Sequence, residues 1–188
     1  GVVYNGKAYV TNNNTFDDYT YDNTNPPASY DDYIAVIDLE TMRVESTIEM
    51  DSYTEQIEEE DGLIYVNGSS FGYGNTINVI NPSSNAVVQT LVTDFGVNSF
   101  EIEDDFVYAL SGSSYQAFNK DSGEAVSSLE FTELSAAANL RIEDDQAYFT
   151  VGRSVYVMEQ NSTIEPSEAL LTYNSESQYG VMYGFEVE

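Results

Sequence analysis

The stretch 97–119, VNSFEIEDDFVYALSGSSYQAFN, decides the fold. It holds an apolar-rich run at 97–103, an acidic turn at Glu103-Asp104-Asp105, a second run around Tyr108-Ala109 and a third at 115–119. Short runs with period-two alternation, broken by Asp, Asn, Gly and Ser, are strand and turn signals. No segment of the chain sustains a 3.6-residue period over helical length. The nearest, 135–140, reads as a small-residue approach to a strand.

The same string recurs along the chain. Tyr9-Val10, Tyr65-Val66, Tyr108-Ala109 and Tyr148-Phe149 follow turns at Asn5-Gly6, 59–62, 103–105 and 143–145. Each precedes another β-rich run, at 34–38, 77–81, 115–119 and 155–159, and the first three lead on to strands at 44–50, 86–92 and 124–130. An inner strand precedes the later turns at 53–58, 97–103 and 137–143, and a further one closes the chain at 180–187. The aligned tyrosines are 56, 43 and 40 residues apart, the first interval being lengthened by an insertion between Asn12 and Asp32. Four strands per roughly 40–50 residues is the blade period of a β-propeller. The expectation is therefore an all-β propeller of four-stranded antiparallel blades. About four blades fall at 1–52, 53–96, 97–136 and 137–179, with an inner strand of a further or the first blade at 180–188. Two closures fit this layout: a piece of a seven- or eight-bladed ring, or a four-bladed ring closed by strand exchange between the termini. The alignment puts Ile57, Ile102 and Ile142 at one repeat position, with Val187 as the fourth member, all packing between blades.

Composition narrows the function. The chain has 188 residues, 41% of them apolar, enough for one mid-sized domain with a core. Its 33 acidic residues face five basic ones, for a net charge of −28. Such a charge repels a phosphate backbone and an anionic membrane surface, so nucleic-acid binding is rejected. The absence of Cys and His removes disulfides, thiolate nucleophiles, imidazole bases and the usual zinc ligands. A Ser-His-Asp triad lacks its His, and carboxylates are too numerous for one pair to mark an active site, so the reading is not an enzyme. No run of 18 apolar residues is present to span a membrane as a helix. Gly1 stands in mid-pattern, which places any export signal or lipid anchor outside this sequence. Three glycosylation sequons, at Asn13, Asn67 and Asn161, occur at about chance frequency.

The segment Tyr9-Val10-Thr11-Asn12 resembles the motif of the YVTN repeat family of β-propellers, which includes YncE-like proteins. The continuation Ile34-Ala35-Val36-Ile37-Asp38-Leu39-Glu40-Thr41 looks like that family's next strand and turn. Tyr65-Val66-Asn67-Gly68 with Val79-Ile80-Asn81 is a degenerate copy, and the run 179–185 resembles the approach to a closing blade. The resemblance covers the whole chain at repeat level and rests mostly on strand and turn chemistry. It implies an exported propeller, at the cell surface, anchored to the outer membrane or in the periplasm. It also implies a ring of about seven blades that captures a nutrient, in some members as a partner of a TonB-dependent transporter. No ligand residue transfers one by one.

Propellers bind at the mouth of the central channel, on loops, so the candidate site is sought there. The insertion carries Phe16, Tyr19, Tyr21 and Tyr30 beside Asn12, and the same face is expected to hold Tyr53, Phe71, Tyr73, Phe95 and Tyr179. Aromatic side chains offer flat, low-entropy contact surface for sugars, corrin-like rings or aromatic siderophores. Asp17, Asp18, Asp22, Asp31 and Asp32 are hard oxygen donors of the kind Ca²⁺ takes, although their spacing is not that of an EF-hand. The acidic turns at 58–61, 103–105 and 143–145 lie on the opposite face and read as solvated. The expected function is a non-catalytic, ligand-binding propeller taking a small-molecule nutrient. The alternative is an interaction propeller with a protein partner, such as a surface-layer or adhesion module.

Overall fold

The computed structural model describes residues 1–12, 32–50, 54–68 and 74–173. Their regular elements are β-strands throughout. They run β1 Val2–Tyr4, β2 Lys7–Asn12, β3 Tyr33–Asp38, β4 Arg43–Glu49, β5 Thr54–Glu60, β6 Leu63–Gly68, β7 Thr76–Asn81 and β8 Ala86–Val92. Then follow β9 Ser99–Glu103, β10 Phe106–Ser111, β11 Ser114–Asn119, β12 Ala125–Glu130, β13 Ala137–Glu143, β14 Gln146–Val151, β15 Ser154–Glu159 and β16 Leu171–Thr172. Each consecutive set of four forms one antiparallel sheet, β1-β2-β3-β4 being the first. The fold is all-β and propeller-like, with four blades.

Each blade opens with a two-residue hairpin, and the turn chemistry explains the acidic repeat. Asn5-Gly6 and Asp61-Gly62 have positive φ at both positions, as do Asp144 and Asp145; Asp104 is left-handed too. Two-residue hairpins need this geometry because it matches the strand twist, and Asn, Asp and Gly tolerate it best. The third strands of the first three blades end in another local device. Asp38 Oδ1 accepts the Thr41 N–H at 2.6 Å, Asn81 Oδ1 the Ser83 N–H at 2.8 Å and Asn119 Oδ1 the Ser122 N–H at 2.8 Å. In the fourth blade Glu159 takes that position. Its longer side chain does not form the short Asx turn, and the chain runs irregularly until β16, a two-residue strand that the sequence pattern did not reveal. Glu165 ties this irregular stretch to the preceding blade. Its carboxylate accepts the backbone N–H groups of Thr132, Glu133 and Leu134 at 2.7, 3.0 and 2.6 Å.

Register corrects the sequence alignment at one point. Glu58, Glu101 and Arg141 lie opposite Tyr65, Tyr108 and Tyr148. Ile102 and Ile142 pair with Val107 and Ala147, the residues before their tyrosines, but Ile57 pairs with Val66, the residue after Tyr65. Ile57 is thus the counterpart of Phe100, not of Ile102. The slip arose because Glu59 and Glu60 resemble turn residues, while both belong to β5. All three isoleucines do pack between blades, as expected.

Core packing follows the blade boundaries. Tyr9, Ile34, Val36 and Ile48 of the first blade meet Ile57, Ile64, Val66 and Ile80 of the second. Tyr65, Ile77, Val79 and Leu91 then meet Phe100, Val107, Ala109 and Phe118. Tyr108, Leu110, Tyr115 and Ala117 meet Leu140, Ile142, Ala147 and Phe149. Each fully buried large side chain contributes roughly 1.5–3 kcal/mol of transfer free energy, so these interfaces dominate the stability. The inner strands pack in sequence, β1 on β5, β5 on β9 and β9 on β13, and no comparable contact joins β13 to β1 among the described residues. Nor do the first and last blades share a strand there. Among the described residues the first blade has its own inner strand in β1 and the fourth its own outer strand in β16. The inner strand expected at 180–188 lies outside the described residues.

Candidate functional site

The rim at which second strands pass to third strands differs from blade to blade. Only Gly112 and Ser113 separate β10 from β11, and only Gly152 and Arg153 separate β14 from β15. In the first blade Asn12 and Tyr33 are ladder partners, and the stretch 13–32 separates β2 from β3. The blade-to-blade connections emerge at the same rim, where a polar scaffold holds them. Asn75 Nδ2 donates to the Thr93 carbonyl at 3.1 Å, and the Thr93 N–H returns a bond to the Asn75 carbonyl at 2.9 Å. The Val97 N–H bonds the Gly74 carbonyl at 2.9 Å.

Beneath this rim the third residue of the YVTN-like motif does structural work. Fully buried Asn67 accepts the Gln56 N–H at 2.7 Å and donates to the Val97 carbonyl at 3.2 Å. Buried Thr150, its counterpart in β14, donates to the Ala138 carbonyl at 3.0 Å and accepts from Asn139 at 2.9 Å. Both sit where the inner strand slips register, between Thr54 and Ile57 and between Ala138 and Arg141. A bulge leaves backbone groups without a ladder partner, and a polar side chain opposite satisfies them. Leu110 holds the same place in β10, whose partner β9 pairs without a slip. Burial of Asn67 also removes its sequon as a glycan acceptor.

A polar line crosses the inner strands. Gln56 reaches from β5 to β9, donating to the Phe100 carbonyl at 2.7 Å and accepting the Phe100 N–H at 3.0 Å. Its amide also donates to the Glu58 carboxylate. Glu101 on β9 pairs with Arg141 on β13. Burial, reinforced by the negative charge of Glu101, pushes the Glu58 carboxyl up to about 7, against the partial relief of Gln56 and Arg141. Burial likewise raises Glu101, and Arg141 opposes it. Glu58 can therefore hold a proton near neutrality. No nucleophile or His stands beside it, and no group of three or more metal-type side chains is arranged to hold an ion among the described residues. The line joins blades; on the opposite rim Lys120 does the same by pairing with Asp61 at 2.6 Å.

Of the expected ligand contacts, Asn12 ends β2 in the ladder and Phe95 packs, partly buried, against the core between the second and third blades. Asp32, a candidate Ca²⁺ ligand, begins the return to β3, and its carbonyl accepts the Met50 N–H at 2.8 Å. Phe16, Tyr19, Tyr21, Tyr30, Tyr53, Phe71, Tyr73 and Tyr179 lie outside the described residues, as do Asp17, Asp18, Asp22 and Asp31. Sequence reasoning missed the line Gln56, Glu58, Glu101 and Arg141. Counting back from each hairpin to the residue opposite the repeat tyrosine would have found the last three. A shallow cleft of about 480 Å³ opens on the acidic-turn rim between Asp145 and Ile164. Within it Gln160 Nε2 donates to Asp145 Oδ1 at 3.0 Å.

No protein-family model matches the chain, and no curated protein matches it in sequence. Solved structures do match its fold. The computationally designed Ika8 protein superposes with a TM-score of 0.67 at 10% identity, over 93% of this chain and 49% of its own. A chain of the Mitotic Checkpoint Complex matches at 0.58 and 14%, over 76% of this chain and 45% of its own. The designed Ika4 protein matches at 0.53 and 12%, over only 68% of this chain but 79% of its own. This chain thus spans about half the length of the first two. At these identities the likeness is one of fold.

Proposed function

We propose that this chain is a non-catalytic binding propeller whose ligand surface lies at the rim where β2 passes to β3. The observation that carries the reading is the contrast in connections. Two residues suffice in the third and fourth blades, whereas the first interposes the stretch 13–32 between ladder partners. A long connection on a rigid sheet adds contact surface, not fold. Its aromatic and amide composition suits a flat, uncharged or cationic small molecule such as a sugar or corrin-like ring. A net charge of −28 disfavours anions. Capture of a nutrient at the cell surface or in the periplasm, with delivery to a TonB-dependent transporter, belongs to the same proposal and rests on the family resemblance. So does a supporting Ca²⁺ among Asp17, Asp18, Asp22, Asp31 and Asp32. Titration of the intact chain with corrinoids, neutral glycans and siderophores, followed by tyrosine fluorescence and calorimetry, tests the reading. Saturable binding of one class supports it, and heat and fluorescence flat across all three defeat it.

A further inference from the structure

The fourth blade carries a segment that the other three do without. Between their third and fourth strands the first three blades need only the short turns 39–42, 82–85 and 120–124, whereas residues 160–170 separate β15 from β16. A blade closes with the short turn, so the longer stretch is an addition to the fold. It is fixed at both ends. The Gln160 N–H bonds the Asp145 carbonyl at 3.0 Å, the Tyr115 hydroxyl donates to the Gln160 carbonyl at 2.6 Å, and the Leu170 N–H bonds the Val155 carbonyl at 2.9 Å. Between those ends no residue is buried, and Ile164 is 76% exposed, so no apolar anchor holds the middle. The middle is held through Glu165. Its carboxylate gathers four donors from the connection between β12 and β13: the N–H groups of Thr132, Glu133 and Leu134, and the Thr132 hydroxyl at 2.9 Å. Converging backbone N–H groups of this kind form an anion-holding concavity. Pro166 follows directly and biases Glu165 towards extended backbone. Among the described residues, no other hydrogen bond or ion pair joins 162–169 to another blade.

We propose that Glu165 is a clasp, and that residues 160–170 form a strap which opens as a unit when the clasp is broken, the propeller beneath staying folded. The strap is also a wall. Residues Gln160 to Ile164 line the cleft of about 480 Å³ opposite Asp145, and the clasp is the next residue along. Opening the strap therefore unmakes the cleft, on the rim opposite the one where β2 passes to β3. The energetic case rests on where the contacts lie. Each blade boundary is built from buried side chains, and no strap residue belongs to those clusters. The order of its middle draws instead on four bonds to one carboxylate. Hydrogen bonds to an ionised acceptor are the strong kind, and these four are lost together when the carboxylate leaves. Segments with few buried contacts open at far lower cost than the whole fold.

Backbone NMR relaxation and amide exchange on the intact chain and on Glu165→Ala test this. In the intact chain the order parameters of 162–169 should lie near the rigid-backbone value of about 0.85, and in Glu165→Ala they should fall below about 0.6. The amides of Thr132, Glu133 and Leu134 should exchange roughly 10- to 100-fold faster in the variant. The amides of β10, β11, β14 and β15 should stay protected, which shows that the variant is folded. Glu168→Ala removes a strap carboxylate that holds no such donors and should leave the strap ordered. A strap that stays ordered in Glu165→Ala overturns the proposal, since another contact then holds it, and so does one already mobile in the intact chain. Disorder that spreads into β14 and β15 overturns it too, because the strap is then part of the blade. Equal loss of order in Glu168→Ala does the same, because the effect is then one of charge and not of the clasp.

Discussion

Glu58 makes the fold's stability rise as pH falls from 8 to 5. Its carboxyl is pushed from 4.5 to about 7, first by burial and then by the charge of Glu101. A carboxyl raised in the folded state favours the protonated fold. Its stabilising contribution is complete below the unfolded value and is lost as pH climbs through about 7. The full gap corresponds to about 3 kcal/mol at 1.36 kcal/mol per pH unit. Glu58 keeps some solvent contact and couples to Glu101, so about 1–2 kcal/mol is the working figure. Glu58→Gln keeps an oxygen for the Gln56 amide and removes the titration. Urea unfolding of both proteins at pH 5, 6, 7 and 8 reads the difference. Repulsion across the whole acidic surface acts on both and cancels. The variant should match the wild type near pH 5 and exceed it by about 1–2 kcal/mol at pH 8. Parallel pH profiles for the two proteins would rule out this role of Glu58, as would a variant weaker at pH 8.

Three other substitutions probe the scaffold. Asn67→Ala strands the Gln56 N–H of the second blade and the buried Val97 carbonyl at the start of the third, so the urea midpoint should fall by the equivalent of about 2–4 kcal/mol. Gly123→Ala forces a Cβ to 2.5 Å from the Gln89 amide at a φ of +70°; a loss of about 1–2 kcal/mol in thermal unfolding is expected. The exposed Glu165 carboxyl is raised by desolvation but lowered further by the N–H bonds of Thr132, Leu134 and Glu133, for a net downward shift. Its contribution is thus present above the ordinary carboxylate value and lost in acid. Glu165→Gln should flatten the decline in stability below pH 4.5 without altering the limb between 5 and 8.

The blades were legible because hairpins announce themselves. Asn5-Gly6, Asp61-Gly62 and Asp144-Asp145 are residues chosen for left-handed backbone, and the strands between them alternate cleanly. Register was less legible at β5, because Glu59 and Glu60 belong to the strand but carry the composition of a turn. The bulges were hidden for a related reason. Asn67 and Thr150 look like ordinary polar strand residues until their backbone partners are seen. The exposure of Val10 could not be read from pattern, since it is as apolar as its buried counterparts Val66 and Ala109. Phe95, an aromatic in a loop, read as a ligand contact and is partly core. Of the site itself, the insertion after Asn12 was visible from length and composition, while the Glu58–Glu101–Arg141 line depends on strand pairing across blades.

In the proposed function the stretch between Asn12 and Tyr33 serves binding and not folding. Its most direct test replaces 13–32 with Gly-Ser, the connection that Gly112 and Ser113 already provide between β10 and β11, and measures ligand titration beside thermal unfolding. The expected result is an unfolding midpoint close to that of the parent chain and loss of the binding response. A graft that still binds at full affinity contradicts it.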